Sequence, residues 1–471
     1  MIDSMLNRRN FIKTSTKVGA CSLFFPSIIK AENLNQDKVR VAVIGVGGRG
    51  NVHVTQLKKH AELVAFCDVN EASDTKPSGF KNYKTAVETY SKFPEVPRFK
   101  DYRVMFDKMG KEIDAVSVAV PDHMHYPIGL WVMAQGKHLL LEKPLVRTFE
   151  EAMHIKQVAK ETGVITQMGN QGHAREGVRL FQEWIDAGLI GDVQEVYHWT
   201  NRPIWPQGMD QFNQPGVVPD GFDWNLWQGV AKPMDYRGGI APFDWRAFID
   251  YGCGAIGDIA CHCMDASYTP LGLKFPTRVE AVKGKVTPVA FPEKSKIDFE
   301  FVTKFGKPVT LHWMDGKLLP EDVPHVPQEF FGGKGKGKGD KSMKPLTTGT
   351  LIVGSKGTMK CDIYGGRIGI FPVDYFNQLK SDKAFPPKTL PRVKGDHFSE
   401  WLRAIKDNKQ PGSNIVDYAA DFTAAALLGV IAMVVEGPLT FDPDKKVFVN
   451  NPEANKLLKS QYEYRKEFLP G

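Results

Sequence analysis

The sequence predicts a two-part α/β chain: a doubly wound parallel sheet first, then a second α/β unit carrying an open, mainly antiparallel sheet. Between Lys38 and Gly163, the apolar runs "VRVAVIG", "ELVAFCDV", "DAVSVAVP" and "KHLLLEKP" alternate with amphipathic stretches. This is the rhythm of βα units whose strands are covered on both faces. The first run leads directly into a glycine-rich turn. Further on, "KIDFEFVTKF", "KPVTLHWMDG" and "GTLIVGSKGTMKCDIYGG" alternate apolar with polar residues, as strands with one covered face do.

The elements follow in order. "NVHVTQLKKH" reads as the helix after the glycine turn. "TFEEAMHIKQVAKETG" reads as a helix that Thr148 caps, Glu151 completes as a capping box, and Gly163 stops in the left-handed conformation. "VITQM" is the next strand, and "REGVRLFQEWIDAGLIG" a helix ended by Gly188. From Thr200 to about Gly252, Pro, Gly, Asp and Trp replace any period; an irregular run of that length points to function or an interface. "GGKGKGKGDK" reads as a flexible, solvated loop. "HFSEWLRAIKDN" and "DYAADFTAAALLGVIAMVVEG" are helices, the second a buried core helix rather than a membrane span, given Asp417, Asp421 and Gly429.

Charge and cysteine content limit the partners. The formal net charge is +7, but the first 31 residues alone hold five Lys or Arg against one Asp. The remainder is nearly balanced, which excludes nucleic acid as the main partner. That leader carries Arg8, Arg9, Phe11, Ile12 and Lys13 ahead of a modest apolar run from Val18 to Ile29, too short to span a bilayer. "NRRNFIK" resembles a twin-arginine export signal, with Asn in place of Ser or Thr and Ile in place of Leu. The expected location is the periplasm, or the cytoplasm if the leader is not functional, and no stable membrane span is expected after processing. None of the six cysteines has the paired spacing of a structural zinc site, and no metal is expected; a disulfide among Cys253, Cys261 and Cys263 stays open.

Gly45, Gly47 and Gly50 fall in G-x-G-x-x-G spacing after an apolar strand and at the mouth of a helix, with Gly48 and Arg49 inside the turn. Such a turn lets the main chain approach a pyrophosphate, whose charge the helix-start N–H groups hold. Eighteen residues past Gly50 the next strand ends in Asp68, a carboxylate placed to accept from both ribose hydroxyls. It would repel a 2′-phosphate, so the expected cofactor is NAD rather than NADP, with Arg49 and Lys58 arguing the other way. Lys143 follows a run of Leu and precedes Pro144, so its ammonium emerges at the carboxyl end of a strand, where open α/β sheets bind ligands. There it can stabilise an alkoxide that develops as hydride leaves. In "GDIACHCMD", Asp258 and His262 share one face of a helix.

Val120-Pro121, His125, "GKHL", Glu142-Lys143-Pro144 and "GCGAIGDIACHCMD" together resemble the glucose-fructose oxidoreductase and inositol dehydrogenase (Gfo/Idh/MocA) family, over about Lys38 to Gly437. The resemblance implies a Rossmann domain with Pro121, His125 and Glu142 about the cofactor. It implies Lys143 and His262 as the acid/base set, Asp258 beside the substrate hydroxyls, and a homodimer or homotetramer built on the second sheet. An imidazole suits proton transfer because its reference pKa of ~6.5 lies near operating pH. "QMGNQGHAREG" supplies Asn170, Gln171 and His173 as second-rank substrate candidates, equally readable as a polar turn. Trp199, Trp205, Trp224, Trp227 and Trp245 set flat aromatic faces among carboxylates, as a pyranose requires, while some of them serve instead to pack the irregular segment; Trp245-Arg246 lies nearest the catalytic motif.

The expected organisation is a leader over 1–35, an NAD-binding Rossmann domain over 36–165, a substrate-binding and oligomerisation domain over 166–437 and an extension over 438–471. The expected function is oxidation of a secondary CH–OH of a sugar, polyol or glycoside by tightly bound NAD, carried out of the cell already folded. A redox-neutral glycoside hydrolase or lyase using transient oxidation is the first alternative, a non-catalytic sugar-binding protein the second.

Overall fold

In the computed structural model, which describes residues 38–470 apart from 73–75, 78–81 and 332–345, the apolar runs of the first part become six strands. These are β1 (Arg40–Ile44), β2 (Glu62–Cys67), β3 (Arg98–Phe99), β4 (Ala115–Val118), β5 (His138–Leu141) and β6 (Thr166–Met168). The leader with its export signal and the "GGKGKGKGDK" loop lie outside the described residues. The strands pair in parallel in the order β3-β2-β1-β4-β5-β6, the doubly wound arrangement of a dinucleotide-binding sheet. Every residue of β4 is buried, because helices cover both faces. The helix Phe149–Thr162 starts as its sequence predicts: Thr148 accepts from Glu151 N–H at 3.2 Å, the Glu151 carboxylate accepts from Thr148 N–H at 2.8 Å, and Gly163 ends it at φ 66°.

The second part is a nine-stranded sheet. Its strands are β7 (Val193–Trp199), β8 (Arg278–Lys283), β9 (Lys296–Val302), β10 (Pro308–Met314), β11 (Gly349–Gly354), β12 (Thr358–Asp362), β13 (Gly369–Phe371), β14 (Leu439–Asp442) and β15 (Val447–Phe448), in the order β13-β12-β11-β7-β10-β9-β8-β14-β15. The β7–β10 pair is parallel and the other described pairs are antiparallel. β9 shows why: Ile297, Phe299 and Phe301 are buried on one face while Asp298 and Glu300 stay partly in solvent on the other. The apolar helix Ala420–Val434 packs against both β8 and the helix Phe149–Thr162, joining the two parts. Its Gly429 is required there, since a Cβ would sit 2.6 Å from the ring of Phe299. The helical stretch Ile415–Val434 is long and apolar enough to cross a membrane by composition, and 78% of its most apolar window is buried inside the fold.

The irregular segment 200–252 makes an aromatic cluster of its own, including Trp205, Trp224, Trp227, Trp245 and Tyr251. It docks back on the first sheet, where Glu71 N–H donates to Gly221 O at 3.0 Å and Asp223 N–H to Val69 O at 2.9 Å. This places tryptophans over the carboxyl ends of the parallel strands.

Candidate active site

The carboxyl ends of β1, β2, β4 and β5 open into one cavity of about 750 Å³, within the usual range for a cofactor site. At the end of β1 the turn is dictated by contacts that tolerate no Cβ: one at Gly45 would lie 2.2 Å from Ala119 O, and one at Gly50 would lie 1.8 Å from Gly45 O. Gly45 also needs its positive φ of 78°. The helix Arg49–Leu57 begins at this turn and aims its N-terminus at the cavity mouth. Asp68, at the end of β2, accepts from the N–H groups of Val46 at 2.9 Å and Gly47 at 3.2 Å, so the acid and the glycine turn fix each other. Gly47 itself leaves space, its nearest neighbours lying 3.4 Å from a Cβ position. A cradle open at Gly47, a helix N-terminus and a ribose acceptor fit a dinucleotide.

Arg49 and Lys58, which argued for NADP, are both committed elsewhere. Arg49 Nε donates to Glu142 Oε1 at 2.6 Å, and Lys58 lies 5.3 Å over the ring of Phe93. Glu142 also bonds His53 Nε2 at 2.9 Å. Burial alone would raise the Glu142 carboxyl, but the Arg49 charge and the His53 bond outweigh it and hold it well below the usual carboxylate range. Glu142 is thus an anchor for the glycine-turn helix as well as part of the cavity wall.

Next along the chain, the Lys143 ammonium lies 2.5 Å from Asp258 Oδ1 and 3.0 Å from Asp258 O. Asp258 is presented by the helix Gly254–Cys263, which is buried over its whole length. Arg246 Nε approaches the same Asp258 oxygen at 3.3 Å, while its Nη2 is 3.5 Å from Asp122 Oδ1. The guanidinium rests 4.1 Å over Trp245. Burial would raise Asp258, yet the Lys143 and Arg246 charges hold it well below the carboxylate range, and so it is anionic. Asp122 is pushed the other way by its burial, against the pull of Arg246.

His262 follows Asp258 by one helical turn, edge-on to Tyr364 at 5.0 Å. Burial, with the Lys143 charge adding to it, pushes the imidazole down to about 3. Contrary to the sequence expectation of an imidazole titrating near operating pH, burial leaves the ring neutral and only weakly basic.

Of the residues singled out by sequence, the cavity collects Gly45, Gly47, Gly48, Arg49, Asp68, Pro121, Glu142, Lys143, Trp245, Arg246 and Asp258. Gly50, His125, Asn170, Gln171, His173 and His262 are not among the residues that line it. His125 sits between two main-chain carbonyls, its Nδ1 2.7 Å from Pro144 O and its Nε2 2.9 Å from Val120 O, and so lies between the two loops that carry Pro121 and Lys143. Asn170 bonds Tyr418 and Ser413, and His173 bonds Asp265 at 3.0 Å, all within the core. Among the tryptophans, Trp227 and Trp245 reach the cavity, whereas Trp199, the last residue of β7, is fully buried and donates to Leu346 O. The five described cysteines are buried free thiols, including Cys253, Cys261 and Cys263.

Residues 39–170 match the model of an oxidoreductase family with an NAD-binding Rossmann fold, GFO_IDH_MocA. This first part of the chain is similar to the Gfo/Idh/MocA oxidoreductase family. Among the relatives of the chain is levoglucosan dehydrogenase of Pseudarthrobacter phenanthrenivorans, 26% identical over 234 residues, half of each protein. A glycosyl hydrolase family 109 protein of Akkermansia muciniphila is 32% identical over 164 residues, 33% of this chain and 32% of that protein. The chain thus spans at most half the length of these two relatives. The WlbA dehydrogenase from Bordetella pertussis, solved with NADH and UDP-GlcNAcA, superposes with a TM-score of 0.54 at 15% identity, covering 86% of this chain and 99% of that one. That likeness shows that the two-domain fold is shared.

Sequence reasoning missed three cavity features. Asp122, which balances Arg246 from just behind the wall, follows Pro121 directly and was open to notice as an acid at a helix start. Tyr102 and Phe468 line the cavity from positions 366 residues apart, and nothing local in either stretch marks them.

Proposed function

We propose that this chain is an NAD-dependent oxidoreductase acting on a secondary CH–OH of an uncharged sugar or polyol. The observation that carries the reading is the Lys143 ammonium, held by Asp258 at 2.5 Å on the wall of the same cavity as the glycine turn and Asp68. NAD, when bound, supplies the hydride acceptor. An ammonium has three donors; Asp258 takes two, through Oδ1 and its main-chain carbonyl, and the third serves the substrate oxygen. There Lys143 stabilises the negative charge that grows on oxygen as the C–H bond breaks. The hydroxyl proton passes through groups on the cavity wall to the unprotonated His262, which stands one helical turn from Asp258 and does not itself line the cavity.

The uncharged substrate follows from the pairing of charges. Arg49 is answered by Glu142, Lys143 by Asp258, and Arg246 by Asp258 and Asp122. A charged substrate would have to break one of these pairs at a cost of several kcal/mol (about 3–5). Trp245 and Trp227 offer apolar faces for a ring's C–H edges.

The similarity to a family 109 glycosyl hydrolase favours one second reading, a redox-neutral cycle in which the hydride is returned. Incubating the NAD-loaded protein with uncharged sugars, polyols and aryl glycosides separates the two: net NADH supports the first, aglycone release without NADH the second. With neither product, both readings fail. The "NRRNFIK" leader supports export of the folded protein with NAD aboard, and the second sheet supports a homodimer or homotetramer. Periplasmic fractionation and light scattering of the purified chain test these two points.

A further inference from the structure

Phe468 is 1% exposed and forms part of the cavity wall, although it stands far along the chain from every motif of the site. Its main-chain oxygen accepts from the Tyr102 hydroxyl at 2.7 Å, and the Arg103 guanidinium lies 4.4 Å over its ring while donating to Glu467 O at 2.7 Å. On the same stretch, Tyr464 donates to Glu151 at 2.5 Å, so 464–468 is tied to the first domain. It is equally tied to the tryptophan segment: Arg465 donates to Asn225 Oδ1 at 2.7 Å, and Tyr462 to Asp250 O at 2.8 Å. Residues 462–468 therefore strap the first domain to the segment that roofs it.

The sheet order fixes which end of the cavity this strap closes. The glycine turn follows β1, Lys143 follows β5, and Asp68 follows β2 on the opposite side of β1 from β5. With pyrophosphate at the turn and the reacting ring at Lys143, the base of the other nucleotide lies past Asp68. The wall there offers the apolar and aromatic side chains of Val69, Tyr102, Ile128 and Phe468 beside the polar Asn70, Lys100 and Asp101. A flat, weakly polar heterocycle such as adenine fits such a slot, in which contact is supplied by ring faces, edges and aliphatic carbons.

We propose that Phe468 is an adenine-contacting residue and that the strap 462–468 retains the nucleotide, so that NAD leaves only when the strap or the tryptophan segment lifts. The proposal rests on the NAD reading above. Because Phe468 touches the adenosine half alone, its removal weakens ligands that contain adenosine and spares those that lack it.

The test is binding of NAD, ADP-ribose and nicotinamide mononucleotide to the full chain by calorimetry, with the release rate of NAD, for the wild type, Phe468→Ala, Phe468→Leu and Arg465→Gln. Phe468→Ala is expected to weaken NAD and ADP-ribose by about two- to tenfold, less than loss of a fully stacked partner brings because the ring is nearly buried beside Arg103 and Arg465, and to leave nicotinamide mononucleotide unchanged. Arg465→Gln is expected to speed NAD release. Phe468→Leu keeps the site filled and guards against misfolding; it should show the same selective loss in smaller measure. Wild-type affinity for ADP-ribose in folded Phe468→Ala or Phe468→Leu overturns the proposal, as does an equal loss for all three ligands. If the wild type binds NAD and only the variants fail to discriminate, the strap proposal alone falls; if the wild type binds neither NAD nor ADP-ribose, the NAD reading falls first and takes this one with it.

Discussion

Lys143 and Asp258 form a buried ion pair in which the ammonium meets both the carboxylate, at 2.5 Å, and the main-chain carbonyl, at 3.0 Å, of a single residue. One residue thus fixes the position of the amine twice, which leaves it a single free donor at the cavity wall. Replacing Lys143 with Ala is expected to reduce kcat on an accepted sugar by about a hundred- to ten-thousandfold, the usual worth of a positioned acid/base group. NAD affinity, measured in parallel, should be nearly unchanged, because the nucleotide's phosphates are held at the glycine turn.

Asp258→Asn removes the anion that both Lys143 and Arg246 face, and leaves two buried cations without their shared partner. Breaking one side of a buried pair costs about 3–5 kcal/mol. A clear fall in Tm is expected together with a loss of turnover. An Asp258→Asn protein as stable as the wild type would show that the pair carries neither function.

Asp68 faces the cavity with its carboxylate fixed by Val46 and Gly47, and the basic residues nearby are spent on Glu142 and Phe93. Asp68→Asn removes the repulsion towards a 2′-phosphate. The ratio of NAD to NADP affinity, read by fluorescence titration, should fall by about tenfold or more, on the order of one unit-charge interaction near a protein surface. An unchanged ratio would place the 2′-hydroxyl elsewhere.

Stability should fall on balance as pH falls, because the lowered imidazoles outweigh the raised carboxyls of Asp122 and Asp315, the latter pushed up to about 6, which act in the opposite sense. Burial pushes His123, His198, His262 and His397 down to about 3 and His138 to about 4, against ~6.5 in an unfolded chain. Between those values the unfolded chain binds more protons than the folded one, so stability falls as pH falls from about 6.5 towards 4. The depressed carboxyls of Asp258 and Glu142 act in the same sense at lower pH. Melting curves should show Tm declining steadily over this window; a maximum near pH 5 would contradict the burial of these rings.

What could be read from the sequence was what local chemistry dictates. Buried parallel strands must be apolar on both faces, so β4 and β5 stood out. The turn after β1 tolerates no Cβ at Gly45 or Gly50, so its spacing was visible too. The Thr148–Glu151 capping box was legible because both partners lie within one turn. Tertiary placement was not. That His125 would sit between two carbonyls depends on where the loops after β4 and β5 meet. The weak basicity of His262 depends on burial by elements distant in sequence, and the reach of Phe468 back to Tyr102 on a fold-wide return of the chain.

The central claim is that a nicotinamide and the Lys143 amine act on one carbinol within the cavity between the two domains. Rapid mixing of NAD-loaded protein with a panel of uncharged sugars and polyols, followed by the near-ultraviolet absorbance of NADH, tests it most directly. A single-turnover burst in the wild type, abolished in a Lys143→Ala protein that still holds NAD, is the result expected. An undiminished burst in Lys143→Ala would contradict it.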